Sequence, residues 1–286
     1  MDLERITSAA NPRIKRLTAL QQKHRERERE RAYAAEGVRL FSDTPQELIE
    51  EVFLTEKLLS ENPGIADKLQ GGCHAFLIPD ELLDKVSDTR SPQGVIFTVK
   101  KREYAERDLL GGWDPDADLS AGAAGANSAS GKGSVAPLLL VLEDIRDPGN
   151  LGTMFRSAEA AGVTGILMSA GTADIYQPKA VRSTMSAVYR VPHRYTDDLC
   201  GDIERLKDMG ITVFAADLKA AKAYDTYNYV KPSAILIGNE AHGLTPEVAA
   251  AAGRSIIIPM CGGIESLNAA VAASVLMFEA ARQRRK

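Results

Sequence analysis

The sequence predicts an α/β protein of two domains, the larger, C-terminal one built on a parallel sheet. Three observations predict it. Apolar and β-branched runs such as Leu138 to Leu142, Thr212 to Ala216 and Ile256-Ile257-Ile258 alternate with stretches of helical length. A series of such runs in the C-terminal half suggests strands covered on both faces. Before it lies a stretch rich in Gly, Ala, Ser and Asp, whose composition cannot bury a core.

A chain of 286 residues is long enough for two ordinary domains. Hydrophobic residues at 44% and charged residues at 26% are those of a soluble globular protein. No segment approaches the ~20 consecutive apolar residues of a membrane helix. The start, MDLERITSAANPRIKR, lacks the apolar core of a secretory signal, so a cytoplasmic protein is expected. Cys73, Cys200 and Cys261 fit neither a disulfide framework nor zinc-ligand spacing, and His24, His74 and His193 show no ligand spacing either. No metal is expected. The net charge of −4 argues against a protein that coats nucleic acid indiscriminately. Basic surface is local: Met1 to Arg31 holds nine Arg or Lys against five acids.

In chain order, residues 1–32 read as a basic helical extension. Asn11-Pro12 starts a helix carrying Ile14, Leu17 and Leu20 at helical spacing. From Arg25 to Arg31 opposite charges stand three apart, as in Arg25 with Glu28 and Glu26 with Arg29, so a solvated helix can support itself. The rival reading gives Arg13, Lys15, Lys23 and Arg25 to RNA phosphates. Residues 33–105 form a smaller α/β domain, with strands near Tyr33, Glu51 to Leu54, His74 to Ile78 and Gln93 to Val99 and helical patterns such as Asp80 to Val86.

Residues 106–136 read as a flexible linker. Gly125 to Ser134 is close to a phosphate-binding loop, but Ala126 stands where a glycine is required and Gly133 where Ser or Thr is required. That mismatch argues against a nucleoside triphosphate site. From residue 137 to 286 the candidate strands are Leu138 to Leu142, Thr164 to Met168, Ala187 to Val191, Thr212 to Ala216, Ala234 to Ile237 and Ser255 to Ile258. Gly162 should end a helix that begins near Thr153. After Pro259 and the loop Cys261-Gly262-Gly263, Ser266 is the expected N-cap of an Ala-rich helix whose small residues let another backbone come close, within the chain or across a subunit boundary.

Three blocks of this half share a plan, an apolar strand running into a loop of Gly, Asn and an acid: Leu138 to Arg156, Ala234 to Leu244 and Ser255 to Arg282. In this order they resemble the three motifs of the SpoU-type RNA 2'-O-ribose methyltransferases, members of the SPOUT class that use S-adenosylmethionine. Asn150 and Arg156 match the first motif, Gly238-Asn239-Glu240 and Gly243 the second, Ile258-Pro259 and Glu265-Ser266-Leu267-Asn268 the third. The resemblance covers roughly Pro137 to Arg282 and extends more weakly over 33–105, where Glu36-Gly37 and Arg90-Ser91-Pro92-Gln93-Gly94 resemble loops of the family's RNA substrate-binding domain. It implies a SPOUT-like sheet domain with a deep trefoil knot, and a homodimer that completes the active site. It also implies cofactor contacts at Leu236, Gly238, Ile258, Met260, Ser266 and Leu267, and RNA contacts at Arg39 and Arg90.

Methyl transfer to a ribose hydroxyl needs an electrophilic methyl, an oxygen aligned behind it and help with the hydroxyl proton. The family's arginine, here Arg156, is proposed to activate that hydroxyl, but a guanidinium is a poor base at neutral pH. Holding the adjacent phosphate and the developing alkoxide is the easier role. Asn150, Ser266 and Asn268 suit positioning of the ribose or of Arg156, and Glu240 could orient Arg156 by a charge-assisted pair. Each has a plainer alternative: Arg156 paired with Glu159, Ile258 and Leu267 in the core, Asn150, Ser266 and Asn268 as caps or turns. The expected activity is 2'-O-ribose methylation of RNA, ribosomal RNA before transfer RNA. A non-catalytic RNA-binding module of the same fold is the alternative. A nicotinamide enzyme is disfavoured, because no G-x-G-x-x-G opens a helix after a strand.

Overall fold

The computed structural model describes residues 3–115 and 136–285, which fall into two compact units. The first comprises the described residues up to Arg102 together with the segment Asp174–Tyr189. The second comprises the described residues of Glu103–Ala173 and those from Arg190 onward.

The first unit runs β1 (Glu4–Arg5), α1 (Pro12–Gln22), α2 (His24–Glu30), β2 (Ala32–Glu36), α3 (Val38–Asp43), β3 (Ile49–Leu54), α4 (Glu56–Glu61), α5 (Pro63–Leu69), β4 (His74–Leu77), α6 (Asp80–Val86) and β5 (Val95–Lys100), with a further short helix at Pro178–Ser183. Its mixed sheet has the order β1-β4-β3-β5-β2, β5 being antiparallel to both neighbours. Helix α1 starts where Asn11-Pro12 predicts. The Asn11 side chain accepts a hydrogen bond from Arg13 N at 2.9 Å, and Pro12 occupies the first turn, where no amide donor is needed. Ile14, Leu17 and Leu20 pack in one cluster with Ile6, Phe53, Phe76 and Ile96, each buried side chain contributing about 2 kcal/mol. Residues 3–32 are therefore built into this unit.

Helix α2 departs from the solvated helix that its alternating charges suggest. The Glu26–Arg29 pair forms, but Arg27 is 4% exposed. Its guanidinium bonds Asp174 at 2.7 Å and donates to Leu20 O at 2.8 Å and Gln21 O at 3.1 Å, closing the C-terminal carbonyls of α1.

The second unit runs α7 (Glu106–Leu109), β6 (Leu138–Leu142), α8 (Pro148–Ala161), β7 (Gly165–Ser169), β8 (His193–Thr196), α9 (Leu199–Asp208), β9 (Thr212–Ala216), β10 (Ser233–Ile237), α10 (Pro246–Ala252), β11 (Ser255–Ile256) and α11 (Ala269–Arg284). Its six strands are all parallel, in the order β11-β9-β10-β6-β7-β8. Alternate residues Leu139, Val141, Ala234 and Leu236 meet α9 and α10 on one face. Helix α11 packs on β10 and α8, and Ser274 Oγ lies 2.8 Å from Ser157 Oγ.

Four expectations need correction. Residues 106–115 are not linker: Leu109, Leu110 and Trp113 are buried against Leu139 and Leu167. The remaining residues read as linker, with the loop Gly125 to Ser134, lie outside the described residues apart from residue 136. Ala187 to Val191 is no strand. Met185 and Ser186 turn the chain at φ 49° and 74°, a 3-10 turn follows, and the strand begins only after Pro192. Helix α8 starts at Pro148 instead of Thr153, because Asp147 caps it, and it ends on Gly162 at φ 76° as expected. Strand β11 stops at Ile256, since Ile257 turns to pair with Ala223. No described helix is long and apolar enough to cross a membrane.

Candidate functional site

Strands β6 and β10 lie side by side at the middle of the parallel sheet, with Leu236 opposite Val141 and Ile237 opposite Leu142. Their loops therefore leave the same edge together, the place where parallel α/β sheets bind ligands. In the first loop Asp144 sits at φ 54° and is tied to Ser169 Oγ through its amide at 2.9 Å and its carboxylate at 2.8 Å. In the second, a Cβ on Gly238 would stand 2.2 Å from the carbonyl carbon of Gly243, so only glycine fits. Asn239 Nδ2 donates to Asp144 O at 2.8 Å, joining the two loops.

Glu240 completes that junction. Its carboxylate accepts from Arg146 N at 3.0 Å, Asp147 N at 3.1 Å and Asn150 Nδ2 at 3.1 Å. Burial alone would raise its pKa, but the hydrogen bond from Arg146 N, with those from Asn150 and Asp147, outweighs burial and holds the carboxyl below its ordinary range. Asn150 Oδ1 in turn accepts from Asn268 Nδ2 at 3.1 Å, while Asn268 Oδ1 accepts from Ala270 N at 2.9 Å and Val271 N at 3.3 Å. One line of side chains, Glu240 to Asn150 to Asn268, thus links all three motif loops and ends on the N-terminus of α11. The helix cap is Asn268; Ser266, expected in that role, is exposed two residues earlier.

A crevice of about 850 Å³ opens beside this line, lined by Asn150, Glu240, His242 and Arg146 among others. Glu143, which sequence reasoning passed over, is buried in its wall, accepting from Thr245 N at 2.8 Å and Thr245 Oγ1 at 2.7 Å. The six residues expected at a cofactor lie elsewhere: Leu236 and Gly238 are buried, Ile258, Met260 and Leu267 half-buried, Ser266 exposed, and none lines this crevice.

Arg156 makes no pair with Glu240, whose carboxylate is occupied, nor with Glu159, which Arg190 holds in a bidentate pair. It is exposed on α8, roughly 240° around the helix from Asn150 at 100° per residue. Of the residues expected at RNA, Arg13 is committed to Glu51 and lies 4.6 Å over the Phe76 ring. Lys15, Lys23, Arg25 and Arg90 are exposed without an ion pair among the described residues, and Arg39 is 3.8 Å from Asp43.

The SpoU rRNA methylase family model matches residues 137–278, and a model for an MRM3-like substrate-binding domain matches residues 11–96. A putative TrmH family tRNA/rRNA methyltransferase of Bacillus subtilis is 31% identical over 72% of this chain and 76% of its own length. The chain belongs to the SpoU family of RNA methylases. A 23S rRNA guanosine 2'-O-methyltransferase of Bacillus subtilis is 26% identical over 96% of this chain and 98% of its own. An rRNA methyltransferase from Sinorhizobium meliloti, solved with bound AdoMet, superposes with a TM-score of 0.79 at 28% identity over 99% of both chains.

For a SpoU methylase the tight Gly238 turn has a direct test. Gly238→Ala drives a methyl group into the backbone of Gly243, and overpacking of this kind destabilises by about 2 kcal/mol. Thermal unfolding and S-adenosylmethionine titration should both register it; an unshifted Tm would mean that the loop rearranges freely.

Proposed function

We propose that this methylase transfers the methyl group of S-adenosylmethionine to a ribose 2'-hydroxyl of RNA, ribosomal RNA in particular, in the cytoplasm. The observation that carries the reading is the Glu240–Asn150–Asn268 line, which fixes the three motif loops against one another. S-adenosylmethionine supplies an electrophilic methyl on sulfonium sulfur. Gly238, Ile258, Met260 and Leu267 fit the adenosine part, since a loop that admits no side chain at Gly238 presents backbone groups and the other three offer half-buried apolar contact. Asn150 and Asn268, held by Glu240 and by the α11 N-terminus, position the ribose in the crevice. Glu240 is an organiser and no base: its depressed pKa keeps it ionised, and three donors already occupy it. Ser266 is exposed and free to meet the cofactor or the ribose.

Arg156 holds the substrate phosphate and the developing alkoxide in the crevice of a second copy. Two features support a homodimer. Arg156 projects away from its own Asn150, and α11 shows Val271, 48% exposed, and Phe278, 44% exposed, on a helix that already buries Leu276 and Met277. A helix apolar on both faces asks to be covered on both. The trefoil knot belongs to the same reading: the chain runs from the central β10 out to the edge strand β11 and returns in α11 onto β10. Lys15, Lys23, Arg25, Arg39 and Arg90 supply phosphate contacts in the first unit.

Transfer of labelled methyl from S-adenosylmethionine to total RNA of cells lacking this protein, followed by mapping of the modified ribose, tests the reading. Label at a ribosomal 2'-oxygen is expected. Tight S-adenosylmethionine binding by calorimetry with no RNA labelled would leave a non-catalytic RNA-binding module instead.

A further inference from the structure

Methyl transfer to a hydroxyl displaces a proton, and neither the Glu240–Asn150–Asn268 line nor the Arg156 cation is built to take it. The other acids that line the crevice are committed to holding its loops. Glu143 accepts from Thr245 N at 2.8 Å and from Thr245 Oγ1 at 2.7 Å. Asp144 accepts from Ser169 Oγ at 2.8 Å and from Arg146 Nη2 at 2.8 Å. Asp147 caps α8, accepting from Asn150 N at 2.8 Å.

His242 is differently placed. It lines the same crevice and is exposed, and no hydrogen bond or ion pair engages its ring among the described residues. Its backbone is nonetheless fixed. Asn239 and Gly243 exchange backbone hydrogen bonds at 3.0 and 2.9 Å, and Gly243 turns the chain at φ 70°. Inside that turn Asn239 Oδ1 accepts from Ala241 N at 2.9 Å and from His242 N at 3.2 Å, while Asn239 Nδ2 ties the turn to Asp144 O at 2.8 Å. The turn therefore delivers one uncommitted imidazole to the crevice that Asn150 and Glu240 line. An imidazole is more basic than a carboxylate by about two pK units, and it changes protonation within about pH 5 to 8. The charged groups lining the crevice with it are Glu143, Asp144, Arg146 and Asp147 on the β6–α8 loop and Glu240 on its own loop. By type, carboxyl and guanidinium groups titrate outside that range.

We propose that His242 is the proton acceptor of the reaction, a catalytic residue lying between the matched motif positions Glu240 and Gly243. The proposal rests on the methyltransferase reading. As the ribose oxygen forms its bond to the methyl carbon, the pair of the breaking S–C bond stays on sulfur, which becomes a neutral thioether. The hydroxyl proton passes to a ring nitrogen of His242, and the imidazolium so formed returns it to water through the open crevice. Asn150 and Asn268 position the ribose for that transfer, and Arg156 keeps the role of a clamp.

The test measures labelled methyl transfer to total RNA of cells lacking this protein, from pH 5 to 8. The wild-type rate should fall about tenfold per pH unit on the acid side, where imidazoles take up a proton. His242→Ala should lose about 10²-fold in kcat, keep its apparent KM for RNA, and show no acid limb. His242→Gln, which can still hydrogen-bond but cannot take a proton, should be equally slow. Added free imidazole should raise the His242→Ala rate several-fold, in proportion to its neutral form, and leave Arg156→Ala unchanged. Wild-type turnover in either His242 variant overturns the proposal. So does a slow variant that keeps the acid limb and ignores imidazole, since the ring then only positions the ribose. A second readout needs no turnover: carbethoxylation of His242 by diethyl pyrocarbonate, followed by mass spectrometry. Bound RNA with S-adenosylhomocysteine should slow it at least tenfold, and an unchanged rate places the ring outside the occupied crevice and overturns the proposal. A wild type that labels no RNA at any pH counts against the methyltransferase reading instead, which separates the two failures.

Discussion

Arg156→Ala is expected to reduce methyl transfer by about 10²- to 10³-fold, the effect of removing one donor from a developing oxyanion, while S-adenosylmethionine affinity and Tm stay near wild type. The stability half of that expectation follows from the side chain's surroundings. It is exposed, it has no partner among the described residues, and the acid one turn along, Glu159, belongs to Arg190. Nothing in the fold depends on it. The location of its work can be tested by mixing two inactive variants, Arg156→Ala and Asn268→Ala. If Arg156 serves the crevice of a second copy, a mixed dimer has one whole site, and about a quarter of the wild-type activity returns when half the dimers are mixed. If it serves its own crevice, the mixture stays dead. Full activity in Arg156→Ala would end the clamp role altogether.

The parts legible in the sequence are those that local chemistry decides. Strands β6 and β9 fall on their expected bounds because each is a short apolar run with clear punctuation, and α1 begins at Asn11-Pro12 because a cap and a proline act within one turn. Strand β8 was misplaced because Ala187 to Val191 is as apolar as a strand, and only the backbone at Met185 and Ser186 reveals a turn there. Between Ser266 and Asn268 local rules offer two equal caps; the choice is made by Asn150, 118 residues away. The same holds for Glu143, whose partner Thr245 is 102 residues distant, and for Arg27, one of several arginines in a run whose period marks none of them as buried. The three motif blocks of the family resemblance hold Asn150, Glu240 and Asn268, and in the structure hydrogen bonds join these three side chains. The charge-assisted pair that Glu240 could make with Arg156 does not form within this chain, where Glu240 accepts from Arg146 N, Asp147 N and Asn150 Nδ2 instead.

Asp174→Ala is expected to destabilise the first unit by about 3–5 kcal/mol, because it strands a buried guanidinium. Arg27 is 4% exposed and cannot turn to water without leaving the carbonyls of Leu20 and Gln21. A double variant, Arg27→Met with Asp174→Leu, should recover part of the loss, since it removes both charges from the interior, at the cost of the two carbonyl bonds and of the bonds Asp174 accepts from His24 and Tyr176 N. The pair also has a defined pH signature. Burial alone would raise the pKa of Asp174, but the charge of Arg27, with the bonds from His24 and Tyr176 N, overrides it and leaves the folded value depressed. A depressed carboxyl stabilises the fold fully above its unfolded pKa of about 3.9 and loses that contribution as pH falls through the folded value. The stability gap between wild type and Asp174→Ala should therefore be constant from neutrality down to about pH 5 and close below pH 4. Denaturant unfolding read alongside hydrogen exchange of the α1, α2 and β2 amides would follow it. A gap that persists unchanged into strong acid would mean that packing around Asp174, and not its charge, holds Arg27 inside.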